Sequence, residues 1–128
     1  MPSEEPFVVY PGEDHLPRAT ASVLLSAALG QKTLVVILQP GADLWWISHV
    51  NRYNLEDITI QPFEPPFGLW RPAELAPLRL LEALYRAREF DVVALYGVRE
   101  AIRDGALDPD LLLTVSRAIA RQAMLYLA

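Results

Sequence analysis

The chain is expected to fold as an α/β domain three layers deep, with helices on both faces of a mainly parallel five-stranded sheet. Two observations predict it. Five short apolar runs rich in β-branched residues recur at 7–10, 33–38, 58–60, 91–96 and 123–127. Continuous apolar character, rather than strict alternation, marks strands that are covered on both faces. Segments with helical spacing separate these runs, and such alternation implies right-handed βαβ crossovers. The chain has 128 residues and no internal repeat or low-complexity linker, so 1–128 reads as a single domain. That length buries a core without metals or staples.

In chain order, the first helix is predicted over 19–29, stopped by Gly30. It is apolar nearly all round (Ala21, Val23, Leu24, Leu25, Ala27, Ala28), which predicts deep burial. A second helix over 44–53 places Trp46, Val50 and Tyr53 on one face. The third, over 78–89, turns Leu80, Leu81, Leu84 and Tyr85 to the core and spaces Glu82 and Arg86 to pair. Pro77 is expected in or near its first turn, where a missing N–H costs little. Asp108, Pro109 and Asp110 read as an N-cap, a first-turn proline and an acid suited to the helix dipole. The helix they open carries Leu112, Val115 and Ile119 inward.

Composition narrows the function. A net charge of −5 argues against a nucleic-acid partner, whose binding rests on neutralising phosphates, and against an anionic membrane surface. The longest apolar run is strand-sized, and the first residues lack the basic and apolar regions of a signal peptide, so a cytoplasmic location is expected. The absence of cysteine removes disulfides, thiolate catalysis and cysteine-based metal sites. Histidine occurs only at His15 and His49, and neither has a nucleophile partner at triad spacing. No metal site is expected.

A strand ending at Tyr10, then Gly12, then a buried helix is where a phosphate-binding loop belongs, with the pattern G-x-x-x-x-G-K-[ST]. The chain reads Gly12, Glu13, Asp14, His15, Leu16, Pro17, Arg18, Ala19, Thr20. Pro17 removes an N–H that would donate to phosphate and fixes a backbone angle where glycine would be free. Arg18 keeps the charge of the lysine but not its point geometry. Ala19 has no hydroxyl for Mg²⁺, although Thr20 has one a residue later. Glu13 and Asp14 place negative charge where a polyphosphate would lie. An ordinary strand-to-helix turn is the favoured reading of this segment.

With these residues in place, the chain resembles the P-loop corrinoid (cob(I)alamin) adenosyltransferases. Tyr10-Pro11-Gly12 stands where the family opens Y-T-G-x-G-K-G-K-T-T, and Val36-Ile37-Leu38-Gln39-Pro40-Gly41 where it has V-Q-F-x-K-G. Pro66-Phe67-Gly68-Leu69-Trp70 echoes a G-F-T-W stretch. The closest correspondence runs from Phe90 through Ala101 and on to Gly105-Ala106-Leu107-Asp108, against Y-D-L-V-V-L-D-E-I-N-Y-A and G-L-L-D. The resemblance implies a P-loop NTPase-like fold and transfer of the adenosyl group of ATP to cobalamin. It also implies a loss, because the acidic pair that would position Mg²⁺ and nucleotide is Tyr96-Gly97 here. Glu100, on the far side of the turn, is a poor substitute.

Altered at both the phosphate loop and the acidic pair, the chain is expected to be a pseudoenzyme with no resident cofactor, acting as a homo-oligomer (a dimer first) or through a protein partner. Two other readings stand beside it: a working transferase with residual ATP or cobalamin binding through Arg18, Thr20 and Glu100, and a non-catalytic corrinoid carrier. Aromatic residues supply the candidate contact surface. Trp45 and Trp46 are adjacent and cannot both face one core, which with Tyr53 suggests an interface or a ring platform for a ligand. Phe67 and Trp70, in a proline-rich loop over 61–72, either cap a pocket or pin that loop to the body.

Overall fold

The computed structural model of the chain describes residues 6–39, 57–61, 63 and 71–128. Along the chain run β1 (Val8–Val9), α1 (His15–Ala28), β2 (Thr33–Ile37), β3 (Ile58–Gln61), α2 (Pro72–Arg86), a 3-10 turn (Ala87–Glu89), β4 (Val92–Tyr96), α3 (Val98–Arg103), α4 (Pro109–Ala120) and β5 (Met124–Leu127). The strands form one sheet in the order β1-β5-β4-β2-β3, and every pairing is parallel. The α/β class and the five-stranded parallel sheet are thus as the apolar runs predict. The helix expected over 44–53, with Trp45, Trp46, His49 and Tyr53, lies outside the described residues, as do Phe67 and Trp70.

Burial explains why the central strands are so apolar. Every residue of β2 and β4 is buried, so both faces of the sheet are covered at its centre. Toward the edges the pattern relaxes: β3 mixes buried and exposed residues, and both residues of β1 are exposed. Helix α1 packs on β2 and β4, whereas α2 packs on β2 and against α4, which in turn lies on β5. The core they enclose includes Val23 of α1, Leu80 of α2, Ile119 of α4 and Leu125 of β5.

Helix starts differ from the spacing-based reading. α1 begins at His15 rather than near Ala19, because Pro17 falls at its third residue, inside the first turn where N–H groups have no helical acceptor. The first i→i−4 bond runs from Arg18 N to Asp14 O at 3.2 Å. α2 begins at Pro72, so Pro77 lies inside the helix instead of in its first turn. The α4 start is as predicted, with the Asp108 side chain accepting from Asp110 N and Pro109 at the first position.

Helix faces differ too. α1 buries Ala19, Val23 and Ala27 but leaves Leu25 61% and Leu29 72% exposed, so it is not buried all round. On α2, Leu80 is buried, yet Leu81 and Tyr85 are 48% and 69% exposed rather than facing the core. Glu82 pairs with Arg79 at 2.9 Å, not with Arg86. Gln61 of β3 takes that role, donating to Glu82 and accepting from Arg86 Nη1 at 3.0 Å.

Two glycines with nearly the same backbone angle separate two kinds of strain. Gly97, between β4 and α3, has φ +83°, and a Cβ there would stand 2.5 Å from the Cβ of Gln39. Gly30 has φ +84°, with nothing within 4 Å of such a Cβ. Gly30→Ala is expected to cost about 1 kcal/mol, the left-handed penalty alone. Gly97→Ala is expected to cost about 3 kcal/mol or more, because two well-packed backbones must also part. Urea unfolding midpoints of the two variants check the difference.

Candidate functional site

In open parallel sheets, ligands bind at the carboxyl ends of two neighbouring strands whose connections leave in opposite directions. Here the chain passes from β2 outward to β3 and from β4 the other way to β5, so the crevice lies between the ends of β2 and β4. Gln39 follows β2, Tyr96 and Gly97 end β4, and Glu100 and Asp104 lie one turn apart along and just after α3. His15, the first residue of α1, comes from the other side and meets Glu100.

Hydrogen bonds order this cluster. The His15 side chain is only 9% exposed, and its Nδ1 lies 3.1 Å from Gly12 O. A carbonyl only accepts, so Nδ1 is the donor of this bond. Nε2 stands 3.7 Å from Glu100 Oε1, beyond hydrogen-bond length. Gln39 Nε2 donates to Asp104 Oδ2 at 3.2 Å, and Arg103 Nε donates to Asp104 Oδ1 at 3.1 Å. Among the described residues, His15 Nε2, Glu100 Oε2 and Gln39 Oε1 are buried without a hydrogen-bond partner. The Glu100 and Gln39 oxygens are acceptors, whereas a phosphate needs donors.

The residues of the predicted phosphate loop are placed as follows. Gly12 (φ +90°), Glu13 and Asp14 form the turn, and His15 through Thr20 are the first turns of α1. Leu16 is half-buried and Pro17 exposed, while Ala19 and Thr20 are buried. The Thr20 hydroxyl donates to Leu16 O at 2.6 Å within the helix. Arg18 is exposed, 3.9 Å from Asp14 and over the Tyr10 ring at 5.7 Å. Tyr96, which the resemblance aligns with an acidic residue, is fully buried. No group of three His, Cys, Asp or Glu among the described residues is placed to hold a metal ion, and no helix among them is long and apolar enough to cross a membrane.

Arg99 is the residue that sequence reasoning passes over. Its Nη1 donates to Gly12 O at 2.8 Å and its Nη2 to Tyr10 O at 3.1 Å, tying the β1–α1 turn to the start of α3. Gly12 O therefore accepts from both His15 and Arg99. Beside Arg99, at the β1 edge of the sheet, lies an apolar pocket of about 470 Å³. Its walls include Phe7, Val9, Ile102, Leu112, Leu113 and Leu127.

The Asp104 carboxyl is held below its ordinary value of 3.8, first by the hydrogen bond from Arg103 and more weakly by Arg103's charge and by Gln39, against a desolvation effect that raises it. A depressed carboxylate contributes stability above its unfolded pKa and loses it as pH falls through the folded value. Asp104→Asn should therefore be less stable than the parent at neutral pH, with the gap closing below about pH 4. Urea midpoints measured from pH 7 to pH 2 test this.

Comparison with protein-family models, with curated proteins and with solved structures finds no match to this chain.

Proposed function

We propose that this protein is a non-catalytic relative of the corrinoid adenosyltransferases, a three-layer P-loop-type cytoplasmic domain that works by association with a second copy or a protein partner. Right-handed crossovers would put α1 on one sheet face and α2 with α4 on the other, and the observed α2–α4 packing agrees with that layering. A strand, a glycine turn and a partly buried helix open the domain as the family's phosphate loop does.

One observation carries the non-catalytic reading. Gly97, where the second acid of the Mg²⁺-positioning pair would stand, has no room for any side chain against Gln39. An aspartate or glutamate there would have to displace the β2 end. Around it, the buried unpartnered oxygens of Glu100 and Gln39 are acceptors, Arg18 is turned to Asp14 and Tyr10, and Arg99 is bonded to the carbonyls of Gly12 and Tyr10. Among the described residues, no group of His, Cys, Asp or Glu is placed there to seat the metal that a bound polyphosphate needs.

Exposed apolar side chains support the association. Leu78, Leu81 and Tyr85 stand 36%, 48% and 69% exposed along one stripe of α2, at i, i+3 and i+7. Leu25 and Leu29 do the same on α1. Stripes of this kind mark contact surfaces more often than scattered single residues do.

Thermal unfolding with excess ATP-Mg²⁺, and separately with hydroxocobalamin, should show no shift. A ligand at about a hundred times its Kd would stabilise by roughly 2.7 kcal/mol, several degrees for a domain this size, and a shift of that order with ATP would overturn the proposal. Sedimentation of the parent should show a dimer or larger species in the absence of a partner. In that case Leu81→Glu with Tyr85→Glu should weaken self-association by about tenfold or more.

A further inference from the structure

We infer that the pocket at the β1 edge is a binding site for a small amphipathic carboxylate, its apolar tail in the cavity and its carboxylate on Arg99. A volume of about 470 Å³ lies in the usual range for small-molecule sites, and the pocket opens at the carboxyl ends of β1 and β5. Phe7, Val9, Ile102, Leu112, Leu113 and Leu127 give it an apolar lining. Val9 is 57% exposed, so a tail seated there would take apolar surface out of water.

Arg99 supplies the polar end. It lines the same pocket, and its guanidinium is fixed by the carbonyls of Gly12 and Tyr10. Those two bonds use one N–H on each terminal nitrogen. A guanidinium has five, so Nε–H and one hydrogen on each terminal nitrogen remain. Its two acceptors are neutral carbonyls, and no carboxylate among the described residues forms an ion pair with it, although Ala128, whose oxygen accepts from Val98 N, lines the same pocket. The neighbouring acid, Glu100, is turned toward His15. A preorganised guanidinium at the rim of an apolar cavity selects a planar anion with a hydrocarbon body, because the fork matches a carboxylate bidentately. A cationic amphiphile would meet repulsion there, and a neutral one would leave the fork unmatched. Ser116, fully buried behind the pocket lining, has a hydroxyl without a partner among the described residues.

Calorimetric titration of the full chain with decanoate, alongside decanol, decylammonium and acetate, tests the site, with amide chemical-shift mapping to locate it. Decanoate should bind saturably and perturb Val9, Ile102 and Leu113. Decanol and decylammonium should bind at least about tenfold more weakly, and acetate without measurable heat. Arg99→Gln should lower decanoate affinity by about tenfold while leaving that of decanol unchanged, and Leu113→Trp should block both. Circular dichroism of each variant, and the ligand series on the parent chain, keep the test independent of any folding defect. Equal binding of decanol and decanoate, shifts confined to another surface, or no saturable binding by the parent would each overturn the proposal.

Discussion

Gly97 lies so close to Gln39 that its missing side chain is a condition of the fold. The contact joins the ends of β2 and β4, the two fully buried strands, and it lets the chain turn through a left-handed residue directly into α3. Everything chemically distinctive follows from where that turn points α3. Arg99 swings back to the β1–α1 turn, Glu100 meets His15, and Asp104 reaches Gln39 just after β2. One tight backbone approach thus orders the neighbourhood of both the crevice and the apolar pocket.

Two features of the β1–α1 turn reinforce each other. Lengthening α1 backward to His15 converts a loop that would wrap an anion into helix, leaving three residues of turn between Pro11 and the helix. The turn's most prominent carbonyl, that of Gly12, then points at protein donors from two directions. A phosphate loop presents N–H groups to its ligand, whereas this turn has its conformation fixed through a C=O. The difference is one of polarity, and it does not depend on the identity of any one lost residue.

The strands were legible in the sequence for a physical reason. β2 and β4 are covered on both faces, so no polar residue interrupts Leu34 to Leu38 or Val92 to Tyr96, and the runs are hard to misread. Helix starts were harder to read. Pro17 and Pro77 look like boundaries, yet one sits harmlessly in a first turn and the other is carried inside a helix anchored by packing. Facing was misread where the outer side is itself apolar. Leu25, Leu81 and Tyr85 satisfy a core pattern and are nevertheless exposed, since periodicity does not say how wide a buried stripe is. The site was legible only in part: His15, Tyr96 and Gly97 stood out by position. Arg99 did not, because its acceptors are backbone groups 87 and 89 residues away, and a carbonyl has no letter in a sequence.

The pairing of β1 with β5 has a consequence for the order of folding. Val8 sits opposite Tyr126, so the first strand can be seated only after the last has been made. During synthesis β1 must wait, while β2, β3 and β4 can already align. Contacts this distant in sequence carry a large loop-closure cost and slow the final step of folding. With only two residues in the ladder, β1 is also the strand least able to hold its place alone. The β1–α1 turn that Arg99 ties to α3 would therefore be the last part of the domain to become ordered and the first to open.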